Sequence, residues 1–207
     1  AAVDGGFVVT WASQYQDDGG SYGVYARRYA NDGSPSGAEF AVNSTVSGNQ
    51  NEPATLDPHL MDAATDMNIV VALFEGLTVS DEKTGKPLPG TAERWDISTD
   101  GLVYTFHLRP TAKWSNGDPV TAADFAYSFQ RILSPALGST YAYMLWPIKN
   151  AEAFNSGKIK SFAEVGVTVV DRATLRLTLA RPTPYVLSLA AHSTWMPVHR
   201  ASVEKFG

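Results

Sequence analysis

Residues 101–133, GLVYTFHLRPTAKWSNGDPVTAADFAYSFQRIL, hold both periodicities from which a fold class can be read. Leu102, Tyr104, Phe106 and Leu108 alternate with Val103, Thr105 and His107. A period of two puts the four apolar side chains on one face of a β-strand. Thr121 and Asp124 then have the spacing of a capping box, in which a side chain three residues into a helix returns to the N-cap. Phe125, Phe129, Ile132 and Leu133 fall on one helical face before Ser134-Pro135 stops the run. A half-buried strand followed by an amphipathic helix predicts a mixed fold.

The same alternation of types continues outward. Upstream, LDPHL at 56–60 reads as extended, Ala63 to Phe74 as an apolar helix, and Leu77 to Ser80 as a strand before the turn DEKTGKPLPG at 81–90. Downstream, Val167–Val170 and Leu175–Leu179, parted by Asp171–Thr174, read as a β-hairpin. Helices and strands without internal repetition give residues 51–207 the expectation of one compact α+β lobe.

Residues 1–50 differ in character. They contain no lysine, one proline (Pro35) and eight of the 17 glycines, whereas all seven lysines and 11 of the 12 prolines follow Gln50. That shift places a boundary near Gln50, with a β-rich segment at 1–50 and a separate lobe at 51–207. Three short strands are expected in the first part, at 6–11, 22–29 and 39–42, separated by the turn-rich DDGGS and ANDGSPSG.

The 207 residues are 44% hydrophobic and 18% charged, with five Trp, nine Tyr and nine Phe, which suffices for a real core. Sixteen basic and 21 acidic residues, well mixed at a net charge of -5, leave no footprint for a nucleic-acid backbone or an anionic membrane. No apolar run approaches the roughly 18 residues of a membrane span, so direct membrane insertion is not expected. With no cysteine there are no disulfides, thiolate metal sites or thiol catalysis. His59, His107, His192 and His199 show no metal-ligand spacing, and Asp17, Asp18 and Asp32 in glycine-rich turns lack the regularity of a calcium loop. No cofactor or metal is expected. No nucleophile elbow, phosphate-cradling loop or dinucleotide fingerprint occurs, which argues against an enzyme. Asn43-Ser44-Thr45 meets the glycosylation pattern. Trp95, Trp114 and Trp146 are too widely spaced for a stacking platform and are expected to serve core or subdomain packing.

Several ordered segments carry a resemblance: EPATLDPHL (52–60), LFEGLTVSD (73–81), PGTAERWDISTDGLVYTFHLR (89–109), AKWSNGDPVTAADFAYSFQRIL (112–133) and EVGVTVVDRATLRLTL (164–179). Together they resemble the oligopeptide-binding proteins of bacterial ABC importers, extracellular solute-binding protein family 5. The resemblance implies part of the first lobe of a type II periplasmic-binding fold, with the second lobe and the hinge outside this chain. It also implies residence in the periplasm or on the cell-envelope exterior, small peptides as ligands, a membrane permease as partner, and a monomer. Residues 1–50, with DGGFVVTW, GVYARRY and SGAEFAVN, resemble one copy of a tandem β repeat of large bacterial secreted or surface proteins, which normally gains its core from neighbouring copies. A lone copy is expected to dock on something or stay soft. The tetrapeptide NEPA is shared by both resemblances, which leaves a fragment of a surface protein, or a non-functional chimera of the two, as alternatives. Residues 39–48 are extended enough to fill the strand position that precedes EPATLDP in the family.

Through this resemblance Glu52 and Ala54 lie on a segment whose backbone pairs with an extended peptide, Tyr141 is a pocket tyrosine, His192 lines a side-chain pocket and Trp195 is an apolar wall. Each also has an ordinary structural reading. Glu52 suits a solvated turn, Tyr141 a half-buried loop aromatic, and His192 a helix cap.

Overall fold

The computed structural model describes residues 7–14, 22–29, 34–35, 38, 40–41, 56–61 and 64–206. Asp17, Asp18 and Asp32, the tripeptide at 43–45, and the expected ligand-edge residues Glu52 and Ala54 lie outside the described residues. The chain divides into two compact units. The first takes the described residues up to Asp57, with Met61–Leu73 and Lys113–Asp118; the second takes Pro58–Leu60, Phe74–Ala112 and the chain from Pro119 onward. Contacts thus group residues 61–73 and 113–118 with the N-terminal strands, a division that composition around Gln50 does not show.

In the first unit, β1 (Phe7–Gln14), β2 (Tyr22–Tyr29) and β3 (Phe40–Ala41) form an antiparallel sheet in chain order. The register runs from Phe7 opposite Tyr29 to Gln14 opposite Tyr22. The described part of the third strand pairs with β2, Ala41 facing Tyr25 and Phe40 facing Ala26. Tyr25 and Ala26 point to opposite faces of β2 and both are buried. Helix α1 (Ala64–Leu73) buries Ile69 and Val70. Between Trp114 and Asp118 the chain makes a tight turn: the Trp114 N–H donates to the Asp118 carbonyl at 2.8 Å and Gly117 takes φ of 91°. Only glycine adopts that region at no steric cost.

LDPHL, expected to be extended, is instead turned over residues 58–60, and the Met61 N–H donates to the Asp57 carbonyl at 3.2 Å. Pro58 fixes φ near the value that opens such a turn, so the proline favours bending over extension.

The second unit opens with a ribbon of β4 (Thr78–Ser80) and β5 (Pro87–Pro89). The segment after Ser80, expected to be turn alone, contains a strand despite two prolines, because an edge strand does not need every N–H. Four antiparallel strands follow in the order β6 (Ala92–Ile97), β7 (Val103–Leu108), β9 (Thr174–Thr178), β8 (Val167–Asp171). The alternation in β7 is realised: Tyr104, Phe106 and Leu108 are buried, with Leu177 opposite Tyr104 and Leu175 opposite Phe106. The Asp171 carboxylate accepts the Ala173 N–H at 2.8 Å and shapes the hairpin turn between β8 and β9.

Helix α2 (Ala122–Leu133) packs on β8 and β9 with Phe125, Phe129, Ile132 and Leu133 fully buried. Its start is fixed by Asp124, whose carboxylate accepts the Thr121 N–H and the Thr121 hydroxyl, both at 2.7 Å. Short helices α3 (Ala151–Asn155), α4 (Val186–Leu189) and α5 (Arg200–Phe206) and 3-10 turns at Ala142–Leu145, Phe162–Glu164 and Ser193–Trp195 complete the unit. Trp95 packs against Phe106 at 6.4 Å between centroids, as an interior role requires. Trp146 packs less deeply: it is 40% exposed, with its ring 6.4 Å from that of Tyr143 and its indole N–H donated to Asn155.

Two substitutions test this core. Phe129→Ala is expected to cost about 3–5 kcal/mol in urea unfolding, because the ring is fully buried between Phe125 and Trp195. Asp124→Ala removes the cap of a helix whose packing is untouched, and is expected to cost about 1 kcal/mol with an unchanged m-value.

Candidate functional site

Tyr141 and His192 each stand at the N-cap of a 3-10 turn. Tyr141 precedes Ala142–Leu145 and accepts the Met144 N–H on its carbonyl at 3.0 Å. Its ring is half-buried and lies 6.0 Å from that of Tyr143, which is 48% exposed. His192 precedes Ser193–Trp195 and accepts the Trp195 N–H on its carbonyl at 2.9 Å. The two turns pack against each other.

The tautomer of His192 follows from its partners. The Thr194 N–H, which can only donate, points at Nδ1 at 3.3 Å, and the Thr194 hydroxyl lies 3.0 Å from the same atom. Nδ1 is therefore the acceptor and the neutral ring carries its proton on Nε2. Burial of the half-covered ring holds the pKa below the usual histidine value, so the neutral form is favoured. The Nε2–H of His192 is thus a hydrogen-bond donor without charge. The capping reading of His192 is realised, on a 3-10 turn.

Trp195 is placed differently from the expected apolar wall. Its side chain is fully buried, edge-on to Phe129 at 5.4 Å, with its indole N–H donated to the Met144 carbonyl at 3.2 Å. The ring leaves no surface for a ligand because the core of the unit encloses it. Thus the structure brings the Tyr141 and His192 turns together through Trp195, while Glu52 and Ala54 fall outside the described residues.

Two supporting residues carry a weak signal in the sequence. Ser128 interrupts the apolar face of α2, and its hydroxyl accepts the Val198 N–H at 2.8 Å while donating to the Asp124 carbonyl at 2.7 Å. His59 is almost fully buried: its Nε2 donates to the Met196 carbonyl at 3.2 Å and its Nδ1 accepts from Arg131 at 2.9 Å. A shallow depression of about 510 Å³, lined by Tyr127, Arg131 and Arg200 among others, contains none of the expected site residues. Among the described residues no three His, Asp or Glu side chains converge as metal ligands, and no helix is long and apolar enough to cross a membrane.

Comparison with known proteins agrees with this architecture. Residues 86–206 match the model of the bacterial extracellular solute-binding proteins, family 5 middle region. The periplasmic oligopeptide-binding protein OppA of Escherichia coli K12 is 45% identical over 176 residues, covering 84% of this chain and 32% of that protein. The oligopeptide-binding protein OppA of Bacillus subtilis 168 is 43% identical over 156 residues, covering 75% of this chain and 28% of that protein. The chain spans about a third or less of the length of these curated relatives. Among solved structures, Haemophilus influenzae OppA in complex with RPPGFSPFR superposes with a TM-score of 0.71 at 42% identity, covering 75% of this chain and 30% of that one. The murein tripeptide binding protein MppA of Escherichia coli gives 0.72 at 41%, covering 76% and 31%. The mixed α+β architecture is therefore part of a periplasmic-binding-protein fold, and the chain belongs to the bacterial extracellular solute-binding proteins of family 5.

Proposed function

We propose that these residues supply one part of the peptide-binding cleft of a solute receptor that serves a bacterial ABC importer in the periplasm or at the cell-envelope exterior. The observation that carries this reading is sustained identity with oligopeptide-binding relatives over most of the chain, with the same fold. The receptor is a monomer that delivers small peptides to a membrane permease and performs no chemistry on them. Recognition without sequence preference rests on main-chain hydrogen bonds to an extended peptide and on roomy pockets. Backbone groups around Glu52 and Ala54 pair with the peptide, except at Pro53, which has no N–H. In this reading Tyr141 lines a side-chain pocket of the assembled cleft, and the His192 Nε2–H donates to a carbonyl or carboxylate of the ligand. A second reading concerns residues 1–50 alone: a three-stranded sheet in chain order suits one unit of a surface repeat.

A graft tests the peptide reading. Residues 51–206 replace the matching part of the Escherichia coli relative, and binding of short peptides is measured by calorimetry. A graft that melts cooperatively and binds within about tenfold of the parent, roughly 1.4 kcal/mol, supports the reading. A cooperatively melting graft that binds no peptide sinks it. The 207-residue chain alone is expected to give no measurable heat with the same peptides, because desolvating a peptide requires both walls of a cleft.

His192 gives a pH prediction independent of ligand. A histidine whose folded pKa lies below its unfolded value of about 6.5 takes up its proton more readily when unfolded. Its contribution to stability is complete above that pH and is lost as the pH falls below it toward the folded pKa. Urea melts of wild type and His192→Gln should therefore converge, the variant losing less stability than wild type between pH 7.5 and 5.5. Parallel losses in the two proteins would contradict the assigned environment.

A further inference from the structure

We infer that Trp195 is a positioning residue for the candidate site: its buried indole ties the turn that presents Tyr141 to the turn that presents His192, so the two side chains are held as one unit. The inference rests on the peptide-binding reading for its functional meaning, though not for its geometry.

The tie is a continuous run of hydrogen bonds. The Met144 N–H reaches the Tyr141 carbonyl at 3.0 Å, the Met144 carbonyl receives the Trp195 indole N–H at 3.2 Å, and the Trp195 backbone N–H reaches the His192 carbonyl at 2.9 Å. Each presented residue is thus one turn away from the shared bond. The Met144 carbonyl needs a donor from outside its own turn. In a 3-10 turn it would accept the N–H three residues on, but position 147 is Pro147, which has none. A part-buried carbonyl gains from a donor that its own turn does not provide, and the indole of a residue 51 positions away supplies one. Any large apolar side chain could fill the volume beside Phe129, but only one with a ring N–H also satisfies Met144. The other side of the unit is fixed to α2, where Ser128 accepts the Val198 N–H.

Amide hydrogen exchange on the 207-residue protein tests the tie without ligand. In wild type the Trp195 indole N–H is expected to exchange in step with the Met144 amide, within about threefold; an indole exchanging at the unprotected rate overturns the proposal, and this readout needs no variant to fold. Trp195→Phe keeps an aromatic ring against Phe129 and removes the donor. It is expected to speed exchange at Met144 and at position 195 by about tenfold while Phe129–Leu133 in α2 keep their protection. Unchanged exchange at both positions, or loss throughout α2, overturns it. Adding Pro147→Ala to Trp195→Phe gives Met144 a donor within its own turn, and is expected to restore protection at Met144 but not at position 195. Restoration at both, or at neither, contradicts the relay.

Binding is then read in the graft. Trp195→Phe is expected to weaken peptide binding by about tenfold, and the loss should shrink in a His192→Ala background; equal losses in both backgrounds would show a structural effect that does not act through His192. If the unsubstituted graft folds and binds nothing while the exchange results hold, the peptide reading fails and the tie between the turns stands.

Discussion

The second unit depends on the burial of one face of α2 against one face of a twisted antiparallel sheet. Phe125, Phe129, Ile132 and Leu133 lose all exposure there, as do Phe106, Leu175 and Leu177 on the strands. Burying an aliphatic or aromatic side chain of this size contributes about 1.5–3 kcal/mol relative to leaving it in water. Several such side chains in one cluster outweigh any single hydrogen bond in the unit, whose net contribution is about 1 kcal/mol. The helix cap and the β8–β9 turn then select the register in which that burial happens. Once α2 is set, its far end and its Ser128 hydroxyl become the surface on which the Trp195 segment is assembled.

Periodicity that is local in the chain was legible, and pairing that is not local was hidden. The alternation at 102–108 and the stripe from Phe125 to Leu133 survive intact because each element has one face in the core and one outside it. Ala92–Ile97 gives no such signal: it is an edge strand, a bulge lies between Ala92 and Arg94, and only Ala92 is buried. Pro87 and Pro89 masked β5 for a related reason, since the proline rule applies to central strands and this ribbon has only edges. In LDPHL, Pro58 bends the chain, and a turn stands where alternation alone suggests extension.

The site shows the same division. Tyr141 and His192 are marked only by the family resemblance, and no periodicity singles out either residue. Their half-burial and N-cap positions are properties of short 3-10 turns, which carry no hydrophobic repeat long enough to read. Trp195 illustrates the limit most clearly. A tryptophan among small and polar residues can line a pocket or fill a core, and the choice is made by Phe129 and Met144, each more than fifty positions away.

A buried irregular segment explains why the polar residues around this core are where they are. Residues 193–198 are all buried, yet beyond the single turn at Ser193–Trp195 they belong to no helix or sheet that would pair their backbone groups. Buried N–H and C=O groups need partners, and there side chains provide them. The Met196 carbonyl accepts the ring N–H of His59, and the Val198 N–H donates to the hydroxyl oxygen of Ser128. Pro197 removes one N–H from the account altogether. His59 can serve Met196 with Nε2 because Arg131 donates to Nδ1 and thereby fixes the neutral tautomer. A histidine and a serine in an apolar neighbourhood are thus required by the absence of regular structure opposite them. The same requirement, transferred to Met144 by Pro147, is what gives Trp195 its partner.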